Sequence, residues 1–126
     1  MTTQTERSDI DPTLLDFLRN KVNSFIKWDL VRFFHDNPYA VDSADHIARY
    51  IMRDQRTTER ELEGLAQANV LDIDEISGVR VYRLSPVDTI RELISQFVAA
   101  CDDRDFRVQA INEVINGKKL SPRHDF

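Results

Sequence analysis

Two short runs of β-forming residues lie inside a chain whose other apolar residues recur mostly at helical spacing. The runs cover residues 70–73 and Val79–Leu84, and the stretch between them, residues 74–78, is rich in turn-forming residues. Two such runs joined by a short turn predict an antiparallel β-hairpin. The helical spacing on both sides predicts helices before and after it. The sequence therefore predicts a mainly α fold with a small β-hairpin.

Helix start and stop signals divide the chain before the hairpin. Asp11 followed by Pro12 predicts a helix start, because Asp is a good N-cap and Pro suits the first helical position. The helical spacing that follows fits one helix of about 24 residues, or two helices with Ser24 capping the second. The Asn37-Pro38 pair ends this region, since the residue before Pro leaves the α conformation.

Two shorter helices are predicted next. Ser43 is the expected N-cap of the first. Asp54 can cap the second, and Thr58 with Glu61 is a competing start, because this spacing forms a capping box. Asn69 is the expected end of the second helix, since Asn tolerates the left-handed conformation.

A last helix is expected from the Ser-Pro pair at 85–86 to the Asn-Gly pair at 116–117. Its apolar residues recur every three or four positions, which is a heptad seam with Arg104 as one polar interruption. An unbroken helix of about 31 residues would be about 46 Å long, more than a domain of this size can cover. We therefore predict a homodimer, and the alternative is a break at 102–105 that gives two shorter core helices. The seam residues expected at the dimer interface are Ile90, Ile94, Phe97, Cys101, Val108, Ile111 and Ile115, helped by Leu14, Leu15 and Leu18.

The length of 126 residues is usual for one domain. Residues 1–10 are polar and without periodicity, so a disordered tail is expected there, and a loose tail is expected over residues 117–126. The single domain then spans residues 11–116.

The order of a helix, a turn, a second helix and a hairpin is carried by three segments. These are SADHIA at 43–48, RELEGLAQANVL at 60–71 and VYRLS at 81–85. Together with the helix before them, residues 24–86 resemble the winged helix-turn-helix domains of bacterial transcription regulators, in the broad sense that includes MarR-, ArsR- and PadR-like proteins. The resemblance implies a winged-helix core over residues 24–86, flanking N- and C-terminal helices, and a helical extension over residues 86–116.

The third helix of such a domain lies in the major groove of DNA, so the resemblance implies a DNA-binding transcription regulator that contacts double-stranded DNA. Arg60 and Gln67 are the expected base readers, because both side chains can pair with base edges. Arg49, Arg53 and Arg56 are the expected phosphate contacts. The full expected set is Arg49, Arg53, Arg56, Thr57, Arg60 and Gln67. The alternative is a solvated helix face with ion pairs along it.

The charge balance favours a different class of function. The net charge is −5, and residues 43–83 contain six Arg against eight Asp and Glu, so 6 − 8 = −2. DNA-binding domains usually have a basic surplus. Asp74 and Glu75 are expected at the hairpin tip, where the negative minor groove would repel them. The alternative function is therefore a winged-helix module that contacts another protein and does not bind DNA.

Nothing in the sequence indicates an active site, a metal or a cofactor. The one cysteine, Cys101, excludes an internal disulfide framework and is expected to be a buried thiol. His35, His46 and His124 lack the spacing of metal ligands, and three glycines do not make a phosphate-binding loop. No apolar run approaches the roughly 20 residues that cross a bilayer, and the N-terminus lacks the apolar segment of a signal peptide. We expect a cytoplasmic protein that is not an enzyme and does not engage a membrane.

Overall fold

The computed structural model describes residues 11–120 of the chain, and the side chains of residues 11–116. This part is mainly helical, with a small antiparallel sheet. In chain order the elements are α1 (Pro12–Asn20), α2 (Phe25–Asp36), β1 (Val41–Ser43), α3 (Ala44–Ile51), α4 (Gln55–Gln67), β2 (Leu71–Ile76), β3 (Val79–Leu84), α5 (Asp88–Ala100) and α6 (Arg104–Leu120). The tail predicted over residues 1–10 lies outside the described residues, as does the end of the other tail, 121–126.

The first two helices have the predicted caps. The Asp11 carboxylate accepts a hydrogen bond from the Thr13 backbone N–H at 2.8 Å, and the Ser24 hydroxyl accepts one from the Lys27 N–H at 3.1 Å. The stretch therefore forms two helices, with Ser24 opening the second. Helix α2 ends at Asp36 with Asn37 as its C-cap, as the following proline predicts.

The next two helices are also capped by short polar side chains. The Ser43 hydroxyl accepts from the His46 N–H at 3.3 Å, and the Asp54 carboxylate accepts from the Thr57 N–H at 2.9 Å. Helix α4 therefore begins after Asp54, and the competing start at Thr58 is wrong. Asn69 follows the helix with a φ of 67°, which confirms the predicted left-handed end.

The sheet contains a strand that the sequence pattern did not predict. The strand order is β1-β3-β2 with both pairings antiparallel, and Val41 of β1 lies opposite Arg83 of β3. A three-residue strand with one apolar residue has no alternation to detect. Its pairing with β3 places the start of α3 against the sheet.

The hairpin turns at Ser77 and Gly78, which have φ values of 53° and 80°. Ile76 pairs with Val79, so the loop has two residues. Positive φ at both positions is the type I′ geometry that matches the twist of the flanking strands. Asp74 and Glu75 were expected at the tip, but they lie within β2 because this strand extends to Ile76.

The last helical region is broken into two helices, as in the alternative with a break near residues 102–105, so the continuous heptad seam is wrong. Helix α5 begins at Asp88, two residues after the predicted proline start, and ends at Ala100. The chain then turns, and the Asp103 carboxylate accepts a hydrogen bond from the Phe106 N–H at 3.0 Å at the start of α6. The predicted stop at residues 116–117 is also wrong, since α6 continues to Leu120.

The break folds α6 back, so that α1, α2, α5 and α6 enclose much of the core. The Phe97 ring packs edge-on against the rings of Phe17, Trp28 and Phe106, with centroid distances of 6.0, 5.6 and 6.2 Å. Ile94 is buried in the same cluster. Two residues predicted for a dimer seam therefore belong to the core of this chain, as do the buried side chains of Leu14 and Leu18.

The element order and the three-stranded antiparallel sheet are compatible with a winged-helix fold. Among the helices of residues 11–120, none is long and apolar enough to cross a membrane.

Candidate nucleic-acid interface

Helix α4 presents one face to the core and the opposite face to solvent. Thr58, Leu62 and Leu65 are buried, where the helix packs against α2, α3 and β2. The outer face carries side chains at helical spacing, and five of them are exposed. These are Gln55, Arg56, Glu59, Arg60 and Gln67. We refer to this set as the outer face of α4.

Arg56 and Arg60 lie one turn apart on this face. Both are exposed, and neither forms an ion pair with a residue whose side chain the structure describes. Their guanidinium groups therefore have donors available for an external anion. Gln67 lies on the same face, about 10 Å along the axis from Arg60.

The other predicted phosphate contacts have partners inside the chain. Arg49 pairs with Asp45 at 2.9 Å, and Arg53 pairs with Asp29 at 2.7 Å. All four side chains are partly exposed. Exposed pairs contribute only about 0–1 kcal/mol, so a phosphate group can compete for these arginines.

Thr57 serves the helix cap. Its backbone N–H and its hydroxyl both donate to Asp54 Oδ2 at 2.9 Å. These two hydrogen bonds lower the pKa of Asp54, because they stabilise the carboxylate. The Thr57 hydroxyl is thus occupied at the start of α4, unlike the free side chains of Arg56 and Arg60 on either side of it in the sequence.

The hairpin adds a charged residue that the sequence reasoning missed. Arg80 of β3 hydrogen bonds to Glu63 Oε2 on α4, and the Tyr82 hydroxyl donates to the same oxygen at 2.7 Å. Burial of Tyr82, followed by its hydrogen bond to Glu63, raises the tyrosine pKa to about 12. The pairing also raises the pKa of Arg80. The sequence did contain a signal for this contact. Side chains alternate along a strand, so Arg80 and Tyr82 of β3 lie on the same face of the sheet.

An open groove of about 410 Å³ separates the hairpin from the first turns of α3 and α4. Its charged lining residues are Asp45, Glu59 and Arg80. The hairpin tip beside it, Ser77-Gly78, carries no charge. On the other face of the hairpin, Asp74 pairs with Arg83 at 3.1 Å, which partly neutralises the acidic strand.

Gly64 permits a close approach between α4 and α2. A Cβ atom at this position would lie 3.0 Å from Cε of Lys27 and 3.1 Å from its Nζ. The Lys27 ammonium donates to Asn23 Oδ1 at 2.9 Å and lies 3.7 Å from Glu61. The glycine therefore makes room for an internal contact on the side of α4 that faces α2.

The other residues of the predicted heptad seam differ in how exposed they are. Ile90 and Cys101 are partly buried, and burial raises the pKa of the Cys101 thiol. Val108, Ile111 and Ile115 are exposed along one side of α6. We call these three residues the α6 stripe.

Within the described residues, no group of three or more His, Cys, Asp or Glu side chains is arranged to hold a metal ion. His46 instead lies 2.9 Å from Asp42 in an exposed pair. The chain matches no family model, no curated protein and no solved structure.

Proposed function

We propose that this chain is a cytoplasmic, non-enzymatic winged-helix regulator that binds duplex DNA through the outer face of α4. The order α2, β1, α3, α4, β2, β3, with β3 at the centre of the sheet, supports a winged-helix fold. In that fold α4 is the helix that enters a major groove.

The observation that carries the proposal is the pair of free arginines on that helix. Arg56 and Arg60 are exposed one turn apart and have no carboxylate partner in the described part of the chain. Two guanidinium groups at this spacing suit two anionic or acceptor groups on one nucleic acid. We assign Arg56 to a phosphate and Arg60 to a base edge, with Gln67 as a second base reader.

Arg49 and Arg53 extend the proposed contact along the backbone of the DNA. Their carboxylate partners, Asp45 and Asp29, lie at the surface, and the pairs are therefore weak enough to exchange for phosphate. The uncharged tip of the hairpin, and the pairing of Asp74 with Arg83, weaken the electrostatic objection that an acidic tip would raise.

The test is a fluorescence anisotropy titration of a labelled duplex of random sequence, in which affinity is measured as a function of salt. The double variant Arg56→Gln/Arg60→Gln is compared with Arg104→Gln, which removes one exposed arginine outside the proposed site. We expect the double variant to reduce the slope of log affinity against log salt by about 0.9 for each phosphate that is no longer neutralised, and Arg104→Gln to leave it unchanged. A wild-type protein that does not bind duplex DNA at low salt would rule out the proposal.

A second candidate function is contact with another protein through the same face. The net charge of −5 and the internal pairing of Arg49 and Arg53 favour it. Absence of duplex binding, together with a folded wild-type protein, would make this the preferred function.

We also propose that the protein is a homodimer that pairs through the α6 stripe. Val108, Ile111 and Ile115 are spaced by three and four residues, so they form one continuous apolar strip on a helix. A two-fold axis through such a strip would bury it against itself, because both partners present the same surface.

A further inference from the structure

We propose that Glu63 holds Arg80 away from DNA, so that the hairpin carries a latent phosphate contact that is released when the Glu63 charge is removed. This inference rests on the proposed DNA-binding function. It adds to that function a residue of the hairpin and an internal competitor for it.

The position of Glu63 is held by Tyr82. The Tyr82 ring is buried, and its hydroxyl donates to Glu63 Oε2 at 2.7 Å. If the carboxylate moved away, a hydroxyl in a largely buried side chain would lose its acceptor, which is costly. Glu63 is therefore the fixed member of its pair with Arg80.

Arg80 is the mobile member. Its side chain is 56% exposed, against 30% for Glu63, and it reaches the carboxylate from the β3 strand. A long, exposed arginine can change partner with little cost in packing. Arg80 is the one basic residue among the described residues that line the groove between the hairpin and α4, beside Asp45 and Glu59, and a DNA backbone next to α4 would approach this space.

The two charges oppose each other at this site. Glu63 attracts Arg80 and repels phosphate, so the pair contributes little to DNA affinity as it stands. Loss of the carboxylate charge would both remove the repulsion and leave the guanidinium free for a bidentate phosphate contact. Only the second effect depends on Arg80, so the part of the gain that is lost when Arg80 is replaced measures the latent contact, separately from the change in charge.

The chain contains a matched control pair. Arg19 and Glu113 form an ion pair at 2.9 Å between α1 and α6, with side-chain exposures of 58% and 27%. Glu113→Gln changes the net charge by the same amount as Glu63→Gln, and it also frees an arginine. It does so outside the proposed DNA-binding face.

The experiment measures the affinity of a labelled random duplex for the full-length wild type, Glu63→Gln, Glu113→Gln, Arg80→Gln and Glu63→Gln/Arg80→Gln. We expect Glu63→Gln to bind up to about fivefold more tightly than Glu113→Gln, which is the upper range for one exposed ion pair. Its salt slope should be steeper by about 0.9 per subunit. In the Arg80→Gln background the same substitution should give a smaller gain, because only the removal of the repulsion remains.

Thermal unfolding followed by circular dichroism checks that each variant is folded. Glu63→Asp serves as a second variant, because it keeps the charge and withdraws the carboxylate by one methylene. We expect it to give a smaller gain that again requires Arg80. Equal gains for Glu63→Gln and Glu113→Gln, or a Glu63→Gln gain of the same size with and without Arg80, would overturn the inference while leaving the DNA-binding proposal intact. Failure of both the wild type and the control to bind duplex would instead reject the proposed function, and the inference with it.

Discussion

Arg53 donates two hydrogen bonds to one oxygen of Asp29, from Nε at 3.0 Å and from Nη2 at 2.7 Å. The pair links the turn between α3 and α4 to helix α2. It also places the Arg53 guanidinium in an exposed position where a phosphate group can displace the carboxylate.

Replacement of Arg53 by Gln should weaken duplex binding equally for all sequences. We expect the slope of log affinity against log salt to fall by about 0.9 per subunit, because one fewer phosphate is neutralised. The free energy of unfolding should change by no more than about 1 kcal/mol, since the pair is exposed. Anisotropy titrations on two duplexes of different sequence check the first point, and urea denaturation checks the second. A change in sequence preference would show that Arg53 reads a base.

Met52 adopts a left-handed backbone conformation, with a φ of 61°, and its side chain is 87% exposed. A residue with a Cβ is strained there, whereas glycine is not. We therefore expect Met52→Gly to stabilise the fold by about 0.5–1 kcal/mol in urea denaturation. Met52→Ala keeps the strain and should have little effect. Equal changes for the two variants would contradict this explanation.

Gly64 lies inside α4, where alanine is preferred by about 1 kcal/mol. In the wild type, a Cβ would lie 3.0 Å from the end of the Lys27 side chain. The cost of moving that side chain should therefore offset part of the stabilisation. We expect Gly64→Ala to stabilise the protein more in a Lys27→Ala background than in the wild type. A double-mutant cycle of unfolding free energies measures the difference. Additive effects would mean that Lys27 does not restrict this position.

Ile94 and Ile111 were predicted to share one seam, but they should respond differently to an introduced charge. Ile94 is 1% exposed, so Ile94→Glu should unfold the chain, because an unpaired carboxylate would enter the core. Ile111 is exposed, and Ile111→Glu should give a folded monomer from a wild-type dimer. Sedimentation at micromolar concentration, with the exposed neighbour Asn112→Glu as control, measures the difference. A monomeric wild type would remove the dimer proposal.

The raised pKa of Tyr82, about 12 against 10.0 in its ordinary state, makes stability fall at alkaline pH. A group whose pKa is higher in the folded state contributes stability that is complete below pH 10 and is lost as the pH rises towards 12. Tyr82→Phe should therefore reduce the dependence of unfolding free energy on pH in this window. Absorbance titration of the wild type minus the Tyr82→Phe protein gives the tyrosine pKa directly. A midpoint near pH 10 would contradict the structure.

Four helix starts could be predicted from the sequence because each depends on interactions within a few residues. Asp11, Ser24, Ser43 and Asp54 all accept a hydrogen bond from a backbone N–H two or three positions later. The hairpin was predicted for a similar reason, since Ser77-Gly78 joins strands that are neighbours in the chain. On the outer face of α4, the helical period alone identified Arg56, Arg60 and Gln67 as exposed.

Other features depend on residues that are distant in the sequence. The strand β1 exists through its pairing with β3, about 40 residues later. The break between α5 and α6 lets Phe106 reach Phe97, and this decides which seam residues are buried. In the site, the chain fold brings Asp29 to Arg53 and Glu63 to Arg80. Local spacing thus determined where helices begin and which residues share a face. The tertiary packing decided which charges are paired and which apolar residues are buried within the chain, because those interaction energies arise only when distant segments meet.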